Sequence, residues 1–348
     1  MVGVVIGEGS FGRVVHARHK LSQVEVAIKV FDKQTMATKR WNGQQLLSSI
    51  FSERALLLDL KECSCTVDLL SAFHDDHCIY LVMECCQGGT LQHLIQQLHF
   101  NHKDANANHH NHIEFETVVS FYALQLIHAV ESIHKLGISH NDICPSNILL
   151  TSQGSIRMAD FGSASRLVHG THRDGIKQDY SDNNNNQRVL GGTVDYASPE
   201  IIKGVPIALL TTGADVWSTG CVLMALLVGQ SPFHADSDAL AIQGIMNHVR
   251  GGTLAMPIHV GGNVPNKEKW KELIEAMLHP DPQKRLGANA GLRGGQHKGG
   301  SIVCYIPGYK SINVEGDPPF TPAEPQWVQE AKQSTMRDGS RGWTSFLL

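Results

Sequence analysis

From its start to Glu84 the chain alternates short β-like apolar runs with turns: VGVVI, RVVHAR, VEVAIKVF and, further on, CIYLVME. Alternation at period two marks strands with one buried face, so these runs predict a small sheet. Between the last two runs, Gln44 to Leu60 carries apolar residues at helical spacing and predicts one helix. After Gly88-Gly89 the period becomes mostly helical. Phe121, Leu124, Ile127, Val130 and Ile133 form an i, i+3 stripe, and Trp217 to Val228 reads as a helix buried on all sides. The pattern predicts a β-rich part with one helix followed by a larger helical part. Two stretches lack any apolar period: the His/Asn-rich HFNHKDANANHHNH, 99–112, and SDNNNNQ, 181–187. Both are expected to be solvated loop insertions. From Ala288 onward the chain is rich in Gly and Pro and is expected to be irregular, partly disordered tail.

Composition narrows the classes. With 348 residues, 42% apolar and 18% charged, the chain is large enough to bury a sizeable core in one unit or two lobes. A formal charge of −4 and a pI near 6.6 provide no broad basic field, so neither nucleic acid nor anionic lipid is expected as a partner. The eight cysteines fall as Cys63/Cys65, as the adjacent Cys85/Cys86 and as scattered singles, which is neither a disulfide ladder nor a pair of C-x-x-C zinc knuckles. Reduced thiols are expected. The clustered histidines have no fixed spacing and no acidic partner, so no metal site is assigned to them. MVGVVIGEGS does not read as a signal peptide, and no apolar run approaches the ~20 residues of a membrane span. A soluble, cytoplasmic protein is expected.

The segment GEGSFGRVV places glycines at 7, 9 and 12 between two β-like runs. Glycines let a backbone approach phosphate oxygens closely, so that main-chain N–H groups meet their charge. A dinucleotide site would need a helix directly after the glycines. Here Val14 and Val15 continue as strand, which favours a strand-turn-strand lid over ATP. Downstream, VAIK sets Lys29 in an otherwise apolar run, where an ammonium suits nucleotide phosphates. Such a lysine needs an acid to fix it. Glu53 is the candidate, because Ile50, Leu56, Leu57 and Leu60 can pack inward and leave it facing the sheet.

HNDICPSN, 140–147, then presents His140, Asp142 and Asn147. MADFGSA follows with Asp160-Phe161-Gly162, and DYASPE ends in Glu200. With these, the ordered set resembles the eukaryotic protein kinase superfamily. FSERALLLDL, IYLVMECCQGGTL, DVWSTGCVLMALLVGQSPF and DPQKRLG make it most similar to AGC-type Ser/Thr kinases, in particular the 3-phosphoinositide-dependent kinases. The resemblance covers residues 3–287. It implies an α+β bilobal kinase fold, with a β-rich N-lobe at 1–86, a helical C-lobe at 87–287 containing an activation segment at 160–200, and a tail at 288–348.

The same resemblance implies that Lys29 pairs with Glu53 and with the α/β-phosphates of ATP, and that Asp142 accepts the proton of a substrate hydroxyl. Asn147 and Asp160 would hold Mg²⁺. Met83 would be the gatekeeper beside adenine, Glu84 and Cys86 would lie on the hinge, and Val14, Ala27 and Leu149 would sandwich the ring. Ile6, Gly7, Gly9 and Gly12 would cover the nucleotide, and Thr193 would sit against Asp142. Glu200 would pair with Arg285, and Asp215 would brace the catalytic loop. Protein substrates are implied, with no intrinsic membrane domain.

Three positions depart from the pattern. Asn141 stands where the family usually has an arginine that pairs with activation-loop phosphate, and Val189, four residues before Thr193, stands at the usual phosphosite. Activity independent of that switch is expected. Cys144 replaces the lysine that touches the γ-phosphate, and loss of one such group lowers a rate by roughly 10²–10³. A pseudokinase acting as a nucleotide-binding scaffold is therefore the alternative.

Overall fold

The computed structural model describes residues 4–9, 12–38, 43–104, 109–167, 194–205, 212–252, 254, 266–286 and 306–307. The elements are, in order, β1 Val5–Gly9, β2 Gly12–Arg18, β3 Glu25–Asp32, α1 Lys33–Thr38, α2 Gly43–Asp59, β4 Leu69–His74, β5 Cys78–Glu84 and β6 Gly89–Thr90. Then come α3 Leu91–Asp104, α4 His109–Lys135, β7 Ile138–Ser139, β8 Ile148–Leu150, β9 Ile156–Met158, β10 Ser165–Arg166, α5 Pro199–Ile202, α6 Thr212–Val228, α7 Asp238–Val249 and α8 Lys267–Met277. The chain divides into two compact units. Among the described residues the first holds 4–94 and 146–163, and the second begins at Ile95, runs to Pro145 and resumes at Ala164.

The first unit is built on a five-stranded antiparallel sheet in the order β1-β2-β3-β5-β4. All its strands but β4 overlap the alternating runs of the sequence, and β1 and β2 close through Gly9 opposite Gly12. Cross-strand partners share a face, so the register sorts the residues into two sets. Val15, Ala17, Val26, Ile28 and Val30, with Cys78, Tyr80 and Val82, pack together on one side. Phe31 and Leu81 lie on the other, where α1 and α2 cover them with Met36, Leu46 and Ile50. A smaller sheet, β6-β8-β9, completes this unit.

The second unit is mostly helical. Its α6 is buried from Thr212 to Leu227: the apolar run from Cys221 onward belongs inside a core, and the polar Asp215, Ser218 and Thr219 nearer its start are satisfied by hydrogen bonds. Trp217 on this helix stacks on Phe233, with ring centroids 5.4 Å apart. The i, i+3 stripe of α4 is buried throughout.

One expectation is corrected here. The stretch 99–112 is not a loop insertion: α3 continues to Asp104 and α4 begins at His109, with only 105–108 outside the described residues. The apolar stripes of the two flanking helices carry the helical backbone into the polar sequence, overriding its composition. His99 is fixed within it, its Nε2 3.0 Å from the Leu226 carbonyl and its ring edge-on to Phe115. Segment 181–187 and, apart from 306–307, the tail at 288–348 lie outside the described residues. No described helix is long and apolar enough to cross a membrane.

Candidate active site

Lys29 lies on the α2-facing side of the five-stranded sheet, between Val14 on β2 and Leu81 on β5. Ala27 and its partner Met83 share this face by the same register, two positions along. On α2, Leu46, Ile50 and Leu57, continued by Leu60 just past its end, form the buried stripe, and Glu53 falls in line with them, 3% exposed. Burying a carboxylate is costly unless a cation meets it. Lys29 does so, its Nζ donating to Glu53 Oε1 at 2.7 Å and Oε2 at 3.0 Å, and to Asp160 Oδ1 at 2.8 Å. Burial alone would depress the lysine pKa. The two carboxylates outweigh it and raise the pKa above its ordinary value, so Lys29 stays cationic at every physiological pH.

The β8-β9 hairpin supplies the rest of this cluster. Ile148 pairs with Met158, and Ala159 donates to the Asn147 carbonyl at 2.9 Å, so the register brings Asn147 and Asp160 to the same end of the hairpin. Asp160 adopts a left-handed φ of 61°, an uncommon and costly conformation that Asp tolerates better than most residues. Gly162 next to it leaves little room for a side chain. A Cβ there would lie 3.2 Å from Asp160 Oδ1 and 3.6 Å from Glu53 Oε2, against the ion cluster itself. Ser49 on α2 donates to the Gly162 carbonyl at 3.3 Å, a further tie between helix and DFG turn. The Asp160 side chain is 48% exposed, open enough to receive a ligand.

The segment 138–145 belongs to the second unit and is organised by Asp215 on α6. This fully buried carboxylate accepts from His140 N at 2.8 Å, Asn141 N at 2.7 Å and Ser139 Oγ at 2.9 Å, and His134 Nε2 lies 2.7 Å away. Burial works against its ionisation, but the His134 contact and the backbone donors prevail and lower its pKa. Asn141 takes φ 62°, with Ser139 Oγ 3.0 Å from its Oδ1 and its Nδ2 donating to Ser165 Oγ at 3.0 Å. Ser165 stands opposite Ser139 in the β7-β10 pair. Asp142 is half-buried, its N–H directed at His140 Nδ1 at 3.3 Å, and Cys144 is buried at 3% exposure.

The remaining positions are placed as follows. Arg285 grips Glu200 through both guanidinium nitrogens, at 2.5 and 2.9 Å, while donating to the carbonyls of Gly213 and His279 and lying over Trp217. Glu84 accepts from Arg157 Nε at 3.3 Å. Cys86 is buried, and Leu149 shows the half-exposed face of β8 between buried Ile148 and Leu150. Ile6, Gly7, Gly9 and Gly12 occupy the β1-β2 hairpin. Thr193 and Val189 lie outside the described residues. Sequence reasoning missed Ser139, Ser165, His134 and Arg157. Ser139 is adjacent to His140 and Ser165 is three residues past Gly162, yet only the fold brings them to Asn141.

Among known proteins, the protein kinase domain model matches residues 1–294. The chain is 29% identical over 289 residues to "3-phosphoinositide-dependent protein kinase 1" of Arabidopsis thaliana, covering 83% of this chain and 52% of the relative. It is 29% identical over 318 residues to human "Serine/threonine-protein kinase Sgk1", covering 91% of this chain and 63% of the relative. To human "Rho-associated protein kinase 1" it is 33% identical over 286 residues, which is 82% of this chain and 18% of that one. These relatives are AGC kinases, and the chain spans about half to two thirds of the length of the first two. An ordered motif set, a sheet-and-helix unit that pairs Lys29 with Glu53, and a family match over most of the length agree: the chain belongs to the protein kinase family.

Proposed function

We propose that this chain is an ATP- and Mg²⁺-dependent protein serine/threonine kinase that transfers the γ-phosphoryl group to Ser/Thr hydroxyls without needing a phosphorylated activation loop. One observation carries the proposal: Lys29 Nζ is held simultaneously by Glu53 and Asp160, at 2.7 and 2.8 Å. A fixed, permanently charged ammonium is what the α/β-phosphates require, and its cost is already met within the protein.

The donor set fits the metal. Asp160 offers a half-exposed carboxylate and Asn147 an amide oxygen, both hard ligands of the kind Mg²⁺ takes alongside phosphate and water. When bound, Mg²⁺ neutralises charge on the transferring phosphoryl group. Lys29 positions the nucleotide phosphates, and the apolar face bearing Val14, Ala27 and Met83, together with Leu149, receives the base. Asp142 orients the substrate hydroxyl and takes its proton. We take the lobes as 1–86 and 87–287 with a tail at 288–348, whereas the compact units divide after Leu94 and the first takes back 146–163; the substrates are proteins.

Phosphate independence is supported by Asn141. Where a positive charge would demand an anion, its amide is instead satisfied by Ser139 and Ser165, a neutral link between the catalytic loop and the start of the activation segment.

A second reading rests on Cys144, a buried neutral side chain at a position where charge assists transfer. It makes the chain a nucleotide-binding scaffold of low turnover. The test is transfer of labelled γ-phosphate to basic Ser/Thr peptides, wild type beside Asp142→Ala, with Mg²⁺ present and then chelated. Transfer abolished by both the substitution and chelation supports the kinase. Nucleotide binding, seen as a thermal shift, without transfer supports the scaffold and refutes the kinase.

A further inference from the structure

The turn that follows α2 holds two thiols which the phosphotransfer chemistry does not use. Thr66 N donates to the Cys63 carbonyl at 3.1 Å, closing a β-turn over 63–66 that folds the Cys63 and Cys65 side chains toward each other. Their sulfurs lie 2.9 Å apart, so a covalent S–S bond needs them to close by only about 0.9 Å. Cys63 is buried and Cys65 half-buried.

The same turn joins two elements of the ion cluster. Cys63 N donates to Leu60 O at 2.8 Å at the end of the helix that carries Glu53. Thr66 Oγ1 donates to the Cys63 carbonyl at 3.0 Å and lies 3.4 Å from the Leu60 carbonyl. On the other side, Met158 N donates to Cys65 O at 2.8 Å and Val67 N to Met158 O at 3.0 Å, a parallel bridge to the strand that leads into Asp160.

We propose that Cys63 and Cys65 form a reversible dithiol–disulfide site, oxidised by hydrogen peroxide, that controls how firmly the helix bearing Glu53 is tied to the strand leading into Asp160. The chemistry is that of a nucleophilic thiolate with a resolving partner alongside. The Cys63 thiolate attacks one peroxide oxygen, the O–O bond breaks, and hydroxide leaves, giving the Cys63 sulfenic acid. The Cys65 sulfur then attacks Cys63 Sγ. The S–S bond forms, the S–O bond breaks, and the hydroxyl departs as water with the Cys65 proton. Two thiols are oxidised by two electrons, and one peroxide is reduced to two waters once the hydroxide is protonated.

Electrostatics favour Cys63 as the attacking group. The hydrogen bond with Cys65 Sγ, opposed by burial and aided by Thr66 and Arg157, holds its pKa below the ordinary thiol value. Cys85, Cys86 and Cys221 are shifted the opposite way, chiefly by burial, and are correspondingly inert. The short ring of a C-x-C disulfide pulls the Cys65 peptide out of its present geometry, so the Met158 N–H to Cys65 O bond is the expected casualty.

The test uses the full chain, treated with graded hydrogen peroxide, alkylated and mapped by mass spectrometry, beside Cys63→Ser and Cys65→Ser. The expected product is a 63–65 segment lighter by two hydrogens, formed before Cys85, Cys86 or Cys144 is modified and reversed by dithiothreitol. In Cys65→Ser, oxidation stops at a Cys63 sulfenic acid that dimedone traps. Amide hydrogen exchange at Met158 should quicken severalfold in the oxidised wild type and stay unchanged in both serine variants. Thiols that persist at 63 and 65 while other cysteines oxidise, or a disulfide to a different cysteine, overturn the site. Unchanged exchange at Met158 overturns the coupling. No readout involves phosphotransfer, so the outcome is independent of the kinase assignment.

Discussion

Replacing Glu53 with glutamine tests the arrangement that carries the functional proposal. Glutamine keeps the shape and one acceptor oxygen, but it removes the negative charge and turns the second oxygen into an NH₂ group. That group would lie near where Oε2 now sits, 3.0 Å from the Lys29 ammonium. A hydrogen bond to a charged partner contributes about 1.5–3 kcal/mol. Asp160 Oδ1, at 2.8 Å, retains part of the lysine's attachment. The net loss in positioning Lys29 is therefore about 2 kcal/mol. If that loss is felt in the transition state, kcat/KM falls by about 30-fold, since ~1.4 kcal/mol is a factor of ten. The assay is peptide phosphorylation at saturating and limiting ATP, with thermal unfolding followed by circular dichroism on the same preparations. A Glu53→Gln protein that transfers phosphate at the wild-type rate refutes the reasoning. So does one whose loss of activity matches its loss of folded protein.

Asp215→Asn should destabilise the protein by roughly 3–5 kcal/mol in urea unfolding, because an amide cannot accept from His140 N, Asn141 N, Ser139 and His134 together. The folded pKa of Asp215 lies below its ordinary 3.8, so its contribution is complete above that value and fades as pH falls through the folded one. The gap between wild type and variant should narrow only below about pH 4. Gly162→Ala should lower transfer by about tenfold with little change in unfolding temperature, since its Cβ presses on Asp160 Oδ1 rather than on the core. Cys144→Lys should raise kcat by about tenfold or more if a missing charge limits turnover, and an unchanged kcat would show that another group supplies it. Phosphatase treatment should leave the rate unaltered, whereas Ser165→Ala should reduce it about fivefold by removing the acceptor for Asn141 Nδ2.

Much of the fold was legible in the chain because its signals are local. The period-two runs became β1, β2, β3 and β5, and the helical run from Gln44 became α2, while the weaker β4 and the one-and-a-half-turn α1 gave no distinct pattern. The apolar run from Trp217 became a buried helix for the same reason. The error at 99–112 came from trusting composition where neighbouring apolar stripes decide the backbone.

The sequence by itself determined the kinase likeness, since glycine lid, VAIK, H-x-D, DFG and Ser-Pro-Glu carry their meaning in order and spacing. It also named Glu53 as the partner of Lys29, because a carboxylate on an apolar helical stripe has to meet a cation. Only the tertiary structure decided that Asp160 joins that pair and that Ser139 and Ser165 satisfy Asn141. It alone showed that Cys63 and Cys65 meet sulfur to sulfur on the turn binding α2 to β9. Periodicity reports which face of an element is buried. Which side chains from distant segments meet there is fixed by strand register and helix packing, which no local pattern encodes.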